Sequence, residues 1–271
     1  MNTGNSGIGG YEDIHGNVRF WLNRIVSWVG DAPLVIYDIG ANDGELTLPL
    51  CGPRRRVIAF EPGPAARGRL RTCAEKAGVD RSLTIVPVAL AADAGTATLQ
   101  VYSDDTFSSL HERPMKDLEQ YNLEAVESLT VTTVALDTLT ADHREQVPEG
   151  VPVPLPPPDL VKIDVEGAER SVLQGALETL RKWQPAVVME YSCVNTGNAG
   201  YRREELLSLL HATGYREIFG LNRNEDRDLY CGDALESCRI WNVLALSPRF
   251  HGVLTGVAIH ETLPQEDHSP R

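Results

Sequence analysis

Leu34-Val-Ile-Tyr-Asp-Ile-Gly-Ala-Asn-Asp-Gly44 decides the fold of this 271-residue chain. The apolar run Leu34-Val-Ile-Tyr37 reads as a buried strand, and Asp38-Ile-Gly-Ala-Asn-Asp-Gly44 reads as the glycine-rich turn that carries it into a helix. Backbone amides at such a turn approach a polar ligand closely, which is the geometry of a nucleotide-type cofactor site. The alternative is a tight strand-to-helix turn that holds no ligand.

The spacing narrows the ligand. A dinucleotide dehydrogenase needs G-x-G-x-x-G at this turn, whereas here an acid precedes G-x-x-x-G. Asp-x-Gly-x-x-x-Gly resembles the first motif of S-adenosylmethionine-dependent methyltransferases. That resemblance implies that Gly40, Asn42 and Asp43 pass under the cofactor, and that Asp38 orients the loop or meets the cofactor's amino group through water. The next strand, residues 56–60, ends in Glu61 and is followed by Pro62-Gly63-Pro64, which opens a helix. A carboxylate about 20 residues past the glycine loop is where nucleotide-binding α/β folds hold a ribose diol. Its two oxygens match two vicinal hydroxyls.

Composition suits a soluble enzyme. With 42% apolar and 23% charged residues, the chain can bury a full core as one elaborated domain. Its apolar runs are too short to span a bilayer. Residues 1–10 are rich in Gly, Asn and Ser and lack the basic and apolar regions of a signal peptide, so a cytoplasmic location is expected. The cysteines at 51, 73, 193, 231 and 238 form no C-x-x-C pair and are odd in number. Neither a zinc knuckle nor a disulfide framework is indicated, and reduced, mostly core thiols are expected. A net charge of −13 repels a polyphosphate. The basic run Arg54-Arg-Arg56 reads as a solvated strand entry, so nucleic acid is not an expected partner. The same charge suggests a neutral or cationic acceptor.

Along the chain, an apolar stripe over residues 17–29 predicts a helix packed ahead of the sheet. A helix over 64–77 and a third strand over 83–88 continue a β/α alternation, which calls for parallel strands with helices on both faces. The pattern then changes. Residues 96–102 and 128–136 read as two strands of an antiparallel insertion, enclosing Asp104 to His111 and a short helix over 115–126, and forming part of a substrate lid. Val151-Pro-Val-Pro-Leu-Pro-Pro-Pro158 reads as a stiff surface loop feeding a fourth strand. That strand ends in Asp164-Val-Glu166. A helix follows with its buried stripe at Ala168, Val172, Leu173, Ala176, Leu177 and Leu180. Strands at 186–190, 215–219 and 239–246 and a helix at 204–212 complete the pattern, and residues 264–271 read as a frayed tail.

Asp38-Ile-Gly-Ala-Asn-Asp-Gly44, Phe60-Glu-Pro-Gly-Pro64, Leu136-Asp-Thr-Leu139 and Val161-Lys-Ile-Asp-Val-Glu-Gly-Ala-Glu169 occur in that order. Together they resemble the FkbM family of S-adenosylmethionine-dependent methyltransferases over roughly residues 34–192. The resemblance implies an α/β fold: a doubly wound, seven-stranded, mostly parallel Rossmann-like sheet, with the antiparallel insertion between strands three and four. It implies one domain: an N-terminal helical extension (1–33), a cofactor-binding core (34–192, insertion 96–136) and acceptor-side elements (193–247). It also implies methyl transfer from S-adenosylmethionine, usually to a hydroxyl oxygen and often on a sugar or polyketide of specialised metabolism. An N-methyltransferase acting on a small molecule or peptide, or a catalytically silent cofactor-binding module, are the alternatives.

Methyl transfer needs acceptor oxygen, methyl carbon and sulfur in line, and a group to take the acceptor's proton. Asp164, Glu166 and Glu190 lie at the carboxyl ends of neighbouring strands, where open α/β sheets bind ligands. In metal-dependent small-molecule O-methyltransferases comparable strand ends carry magnesium, which makes Asp164 and Glu190 candidate ligands of Mg2+. The Asp-Asn pair usual there is Glu190-Tyr191 in this chain. Without a metal the base is Asp164, Glu190 or His111 from the insertion. Asp164 is also a cofactor-contact candidate. Lys162 is expected to alternate away from Asp164, and Glu166-Gly167 to cap the following helix. FkbM-type chains carry a similar serine-rich stretch at Ser108-Ser109, which implies that Ser109 touches the cofactor carboxylate or the acceptor. Ala89 is placed by fold geometry with its amide against the adenine. The acceptor's identity and the oligomeric state are not encoded legibly.

Overall fold

Strand β1 (Leu34–Ile39) sits between β2 (Arg55–Phe60) and β7 (Leu160–Ile163), parallel to both. This computed structural model describes residues 16–141, 147–222 and 227–263; the expected features at 1–10 and 264–271 lie outside them. All four residues of β7 are buried, as a central parallel strand covered on both faces requires. The other parallel strands are β3 (Leu83–Val86), beyond β2, and β8 (Ala186–Glu190), beyond β7. β11 (Ile240–Leu246) lies antiparallel between β8 and β9 (Glu217–Asn222).

These are the seven expected strands, in the order β3-β2-β1-β7-β8-β11-β9. Two short edge strands, β10 (Leu229–Tyr230) and β12 (Ile259–His260), extend the sheet to nine. Two-residue strands offer no readable alternation. The sixth strand starts later than expected because Tyr215 turns inward and its hydroxyl donates to Pro185 O at 2.6 Å.

Two apolar layers flank the sheet. α1 (Gly16–Val29) inserts Trp21, Leu22 and Ile25 on one face, together with Phe250 and Val253 from a short 3-10 segment. α2 (Thr47–Leu50) and α3 (Pro64–Ala77) cover the same side. Pro64 opens α3, where an N–H would have no intrahelical partner, and Gly78 closes it at φ +68°. The opposite face is covered by α5 (Leu136–Thr140), α6 (Glu169–Gln174), α7 (Leu177–Trp183) and α9 (Glu204–Ala212).

The single helix expected after Gly167 is broken at Gly175. A Cβ there would lie 2.0 Å from Ala91 O, so the helix must part to let that backbone approach. The proline-rich connector is no surface loop either. Val151, Val153 and Leu155 alternate into the core while the intervening prolines, which have no N–H to leave unpaired, face outward.

The insertion is a second sheet of β4 (Ala89–Leu90), β5 (Gly95–Tyr102) and β6 (Ala125–Val134), with β5 and β6 antiparallel. Its helix α4 (Met115–Tyr121) stops short of the expected end because Asn122 adopts φ +52° and caps it. α8 (Cys193–Asn198) follows β8 directly.

Cys193 and Cys238 form a disulfide with Cα atoms 5.9 Å apart, correcting the expectation of reduced thiols for these two, while Cys51, Cys73 and Cys231 are free. The pairing is invisible in sequence because 45 residues separate the two and only the sheet order brings them together. Among the described residues, no helix is long and apolar enough to cross a membrane.

Candidate active site

The chain steps from β1 to β2 to β3, then returns to the other side of β1 as β7. This reversal opens a crevice beyond the carboxyl ends of β1 and β7. There the backbones are in close contact: Asp164 N donates to Ile39 O at 3.0 Å, and a Cβ on Gly40 would lie 1.9 Å from Asp164 O. Gly40, at φ +81°, is therefore required both by conformation and by space.

Asp38 does not reach the crevice. Fully buried beneath the glycine turn, it accepts from Thr47 Oγ1 and lies 3.1 Å from Lys162 Nζ. Lys162 also donates to Gly40 O at 2.7 Å and stands 3.6 Å from Asp164 Oδ2. Residues 162 and 164 are two apart on a strand and share a face, so the expectation that they diverge is corrected. Burial alone lowers the Lys162 pKa, and the charges of Asp38 and Asp164 more than offset it, leaving the ammonium stabilised. The Asp38–Lys162 pair is a buried tie that fixes the turn.

Glu61, only 8% exposed, is held by two backbone amides: Asn42 N donates to Oε2 at 2.8 Å and Gly63 N to Oε1 at 2.7 Å. Each oxygen keeps a lone pair for a further donor. Burial raises its pKa, and the two amides oppose that rise.

Past β7 the chain turns through Glu166 (φ +55°) and Gly167 (φ +103°). No side chain caps the helix, correcting the role expected of Glu166; Glu169 ties the turn before it, its carboxylate accepting from Val165 N at 3.0 Å, Gly167 N at 3.1 Å and the Tyr201 hydroxyl. Glu166 instead pairs with the guanidinium of Arg113. Asn195 Nδ2 donates to Glu166 Oε2 at 2.9 Å and to Glu190 Oε1 at 2.8 Å, while Asn195 Oδ1 accepts from Arg113 at 3.2 Å. Glu190 Oε2 is buried with no hydrogen-bond partner. Burial and the Asp164 charge push Glu166 up to about 8, against the pull of Arg113. Burial and the Glu166 charge raise Glu190 well above the carboxylate range.

The insertion closes one side. Ser109 Oγ donates to Glu166 O at 2.6 Å and accepts from His111 N at 3.0 Å, so its hydroxyl is engaged within the protein. Arg113, also from the insertion, is anchored by Phe107 O at 3.0 Å. His111 does not line the crevice, although its neighbours Leu110 and Arg113 do; burial and nearby Arg170 lower its pKa.

The resulting cavity has a volume of about 830 Å3, within the range of small-molecule sites. Gly40, Asn42, Asp43, Glu61, Ala89, Ser109, Asp164 and Glu190 all line it. So do Arg113, Asn195, Trp241 and Asn242, which sequence reasoning missed. Arg113 and Asn195 carry no motif, and only the fold brings them to Glu166.

The Methyltransferase FkbM domain model matches residues 38–217, most of the chain. Hexuronic acid methyltransferase AglP of Haloferax volcanii is 26% identical over 193 residues, 71% of this chain and 68% of that one. 2-O-methyltransferase NoeI of Sinorhizobium fredii is 28% identical over 178 residues, 62% of this chain and 68% of that one. A solved FkbM methyltransferase from Methylobacillus flagellatus KT superposes with a TM-score of 0.46 at 15% identity, over 79% of this chain and 44% of its own length. With its glycine turn, strand-end acids and insertion matched in one continuous span, the chain belongs to the FkbM family of methyltransferases.

Proposed function

We propose that the chain transfers a methyl group from S-adenosylmethionine to a hydroxyl oxygen of a sugar-type small molecule, with Glu190 as the base. One observation carries the reading. A single cavity is lined both by a carboxylate fixed by two amides, Glu61, and by the strand-end carboxylate of Glu190.

The residues fit the cofactor. Glu61 has lone pairs free for a ribose diol, Ala89 and Leu90 give an apolar wall for the adenine, and Gly40 and Asn42 leave a side-chain-poor turn for the methionine end. When bound, the cofactor supplies a methyl group activated on a sulfonium. The protein's work is then to place the acceptor hydroxyl in line and to remove its proton. The new oxygen–carbon bond forms as the sulfur–carbon bond breaks, and the hydroxyl proton passes to the Glu190 carboxylate. A carboxylate with a raised pKa is a stronger base than an ordinary one when ionised. Asp164, beside Glu190 on the next strand end, orients the acceptor.

The donor set does not fit the Mg2+ considered for Asp164 and Glu190. Oxygens of Asp164, Glu166 and Glu190 do lie within 4.8 Å of one another. The Asn195 amide nevertheless bridges Glu166 and Glu190 with its protons, and Arg113 pairs with Glu166. A dication there would stand against the positive charges of Arg113 and Lys162 and the amide protons of Asn195, all turned to the same carboxylates. Sugar-type acceptors are favoured over polyketides by the hexuronic acid in the name of one relative, and a hydroxyl oxygen by the 2-O-methylation in the name of the other.

The test is incubation with methyl-labelled S-adenosylmethionine and a series of sugars. Label in a methyl ether, formed one-to-one with S-adenosylhomocysteine and lost in Glu190→Gln while cofactor binding persists, is the expected outcome. Labelled product at a wild-type rate from Glu190→Gln removes the residue from its role.

A further inference from the structure

β8 and β11 run antiparallel, and their register sets Asn242 directly across from Glu190. Directly opposed residues share a face of the sheet, with Cβ atoms about 5 Å apart. The next pair on that face, Val188 and Leu244, lies in the apolar layer beneath α1. Glu190 and Asn242 therefore continue an apolar stripe outward to the strand end, where both line the cavity. Beyond Asn242 the pairing of β11 with β9 slips by one residue, leaving Trp241 extra between Asn242↔Leu221 and Ile240↔Asn222. Tyr191 N donates to Trp241 O at 2.7 Å, so the backbone that carries Asn242 is pinned beside the end of β8.

Asn242 has no structural reason to be polar. It interrupts the apolar run Ile240-Trp-Asn-Val-Leu-Ala-Leu246, and asparagine is a poor strand former. Among the described residues three asparagines line the cavity, and two are engaged. Asn42 Oδ1 accepts from Arg69 at 3.1 Å, while Asn195 donates to Glu166 and Glu190 and accepts from Arg113. The Asn242 carboxamide makes no hydrogen bond to any described residue. A half-buried amide with neither end engaged is satisfied by solvent or by a ligand. Because it donates through Nδ2 and accepts at Oδ1, its complement is a hydroxyl, which also does both. A C–H group in the same place leaves both ends unpaired.

Resting on the sugar-hydroxyl reading above, we propose that Asn242 is a specificity residue that holds the hydroxyl next to the one methylated, so that the acceptor class is a vicinal diol. Glu190 takes the proton of one hydroxyl. Asn242, opposite it, binds the neighbouring hydroxyl and thereby fixes which oxygen faces the methyl group. An acceptor with an isolated hydroxyl offers the amide nothing.

The experiment uses the full chain, S-adenosylmethionine and the methyl pyranosides of glucose, galactose and mannose. NMR of the product locates the methylated oxygen. The best acceptor is then compared with analogues deoxygenated at each flanking position and at a remote one. Loss of one of the flanking hydroxyls is expected to lower kcat/KM by at least about tenfold, and loss of the remote one to change it little. Asn242→Ala and the near-isosteric Asn242→Leu are expected to lower kcat/KM for the parent pyranoside by a similar factor and to stop distinguishing it from that flanking deoxy analogue. S-adenosylhomocysteine affinity is expected to stay unchanged in both. This coupling between one side chain and one hydroxyl is a readout that general damage to the fold does not produce. A flanking-deoxy penalty that persists at full size in both variants, or no such penalty in wild type, overturns the proposal. S-adenosylhomocysteine binding without methylation of any pyranoside fails the sugar reading itself, and the proposal falls with it.

Discussion

Glu166 and Glu190 share one donor: Asn195 Nδ2 lies 2.9 Å from the first carboxylate and 2.8 Å from the second. Two acids joined through one amide in a buried site disfavour double ionisation, and the pair titrates as a unit. Burial and the Asp164 charge raise Glu166 to about 8, and burial and the Glu166 charge raise Glu190 well above the carboxylate range.

The first consequence is a pH profile. If proton removal by the pair limits the reaction, kcat/KM climbs with pH through the neutral and mildly alkaline range instead of levelling off near 5. The charges of Asp164 and Glu169 raise the pair further, and that of Arg113 lowers Glu166. A profile flat from pH 5 to 9 with chemistry rate-limiting removes the pair from the proton path.

Stability runs the other way. The folded state holds these protons more tightly than the unfolded chain, whose glutamates titrate near 4.3. The contribution is therefore full below that value and is lost as pH rises toward and through the raised pKa. Glu190→Gln keeps the shape and removes the charge. Its melting temperature is expected to match wild type at pH 5 and exceed it at pH 8, while turnover falls by roughly 10²- to 10⁴-fold. A lower melting temperature at pH 8 contradicts the titration.

Arg113 ties the insertion to this pair. At pH 9, above the raised pKa of Glu166, Arg113→Met leaves the ionised carboxylate without its cation and is expected to cost roughly 3 kcal/mol, with part recovered in the Arg113→Met/Glu166→Gln double variant. Denaturant unfolding of the four proteins of the cycle measures the coupling. Additive effects mean that the ion pair contributes nothing to holding the insertion.

Lys162→Met strands the Asp38 carboxylate beneath the glycine turn, and the expected loss is roughly 3–5 kcal/mol, as for other broken buried pairs. Because Lys162 also holds Gly40 O, S-adenosylhomocysteine affinity should fall as well. Calorimetry well below the melting point separates the two effects, and unchanged affinity in the folded variant would show that the turn stands without its tie.

The sheet was legible because each of its long strands is an apolar run of the right length flanked by turn residues, and the order of the motifs placed them. Glu61 was legible for the same reason, since a fixed spacing past the glycine turn puts it in the crevice. Asp38 was only half legible: its position in the motif is plain, but whether it faces the ligand or lies beneath the turn depends on Thr47 and Lys162, which touch it only in the folded chain. Arg113, Asn195 and Trp241 were not legible at all. A guanidinium 53 residues from its carboxylate, an amide bridging two strand ends and a bulge set by a neighbouring strand's register are long-range facts. His111 shows the converse: a histidine flanked in sequence by cavity-lining Leu110 and Arg113 does not itself line the cavity.

The most direct measurement is calorimetric titration of cofactor-stripped protein with S-adenosylhomocysteine, on wild type and Glu61→Ala. One-to-one binding is expected for wild type, weakened on the order of 100-fold in the variant through loss of two charge-assisted hydrogen bonds. No binding by folded wild-type protein, or equal affinity in folded Glu61→Ala, would contradict a cofactor held at the end of β2.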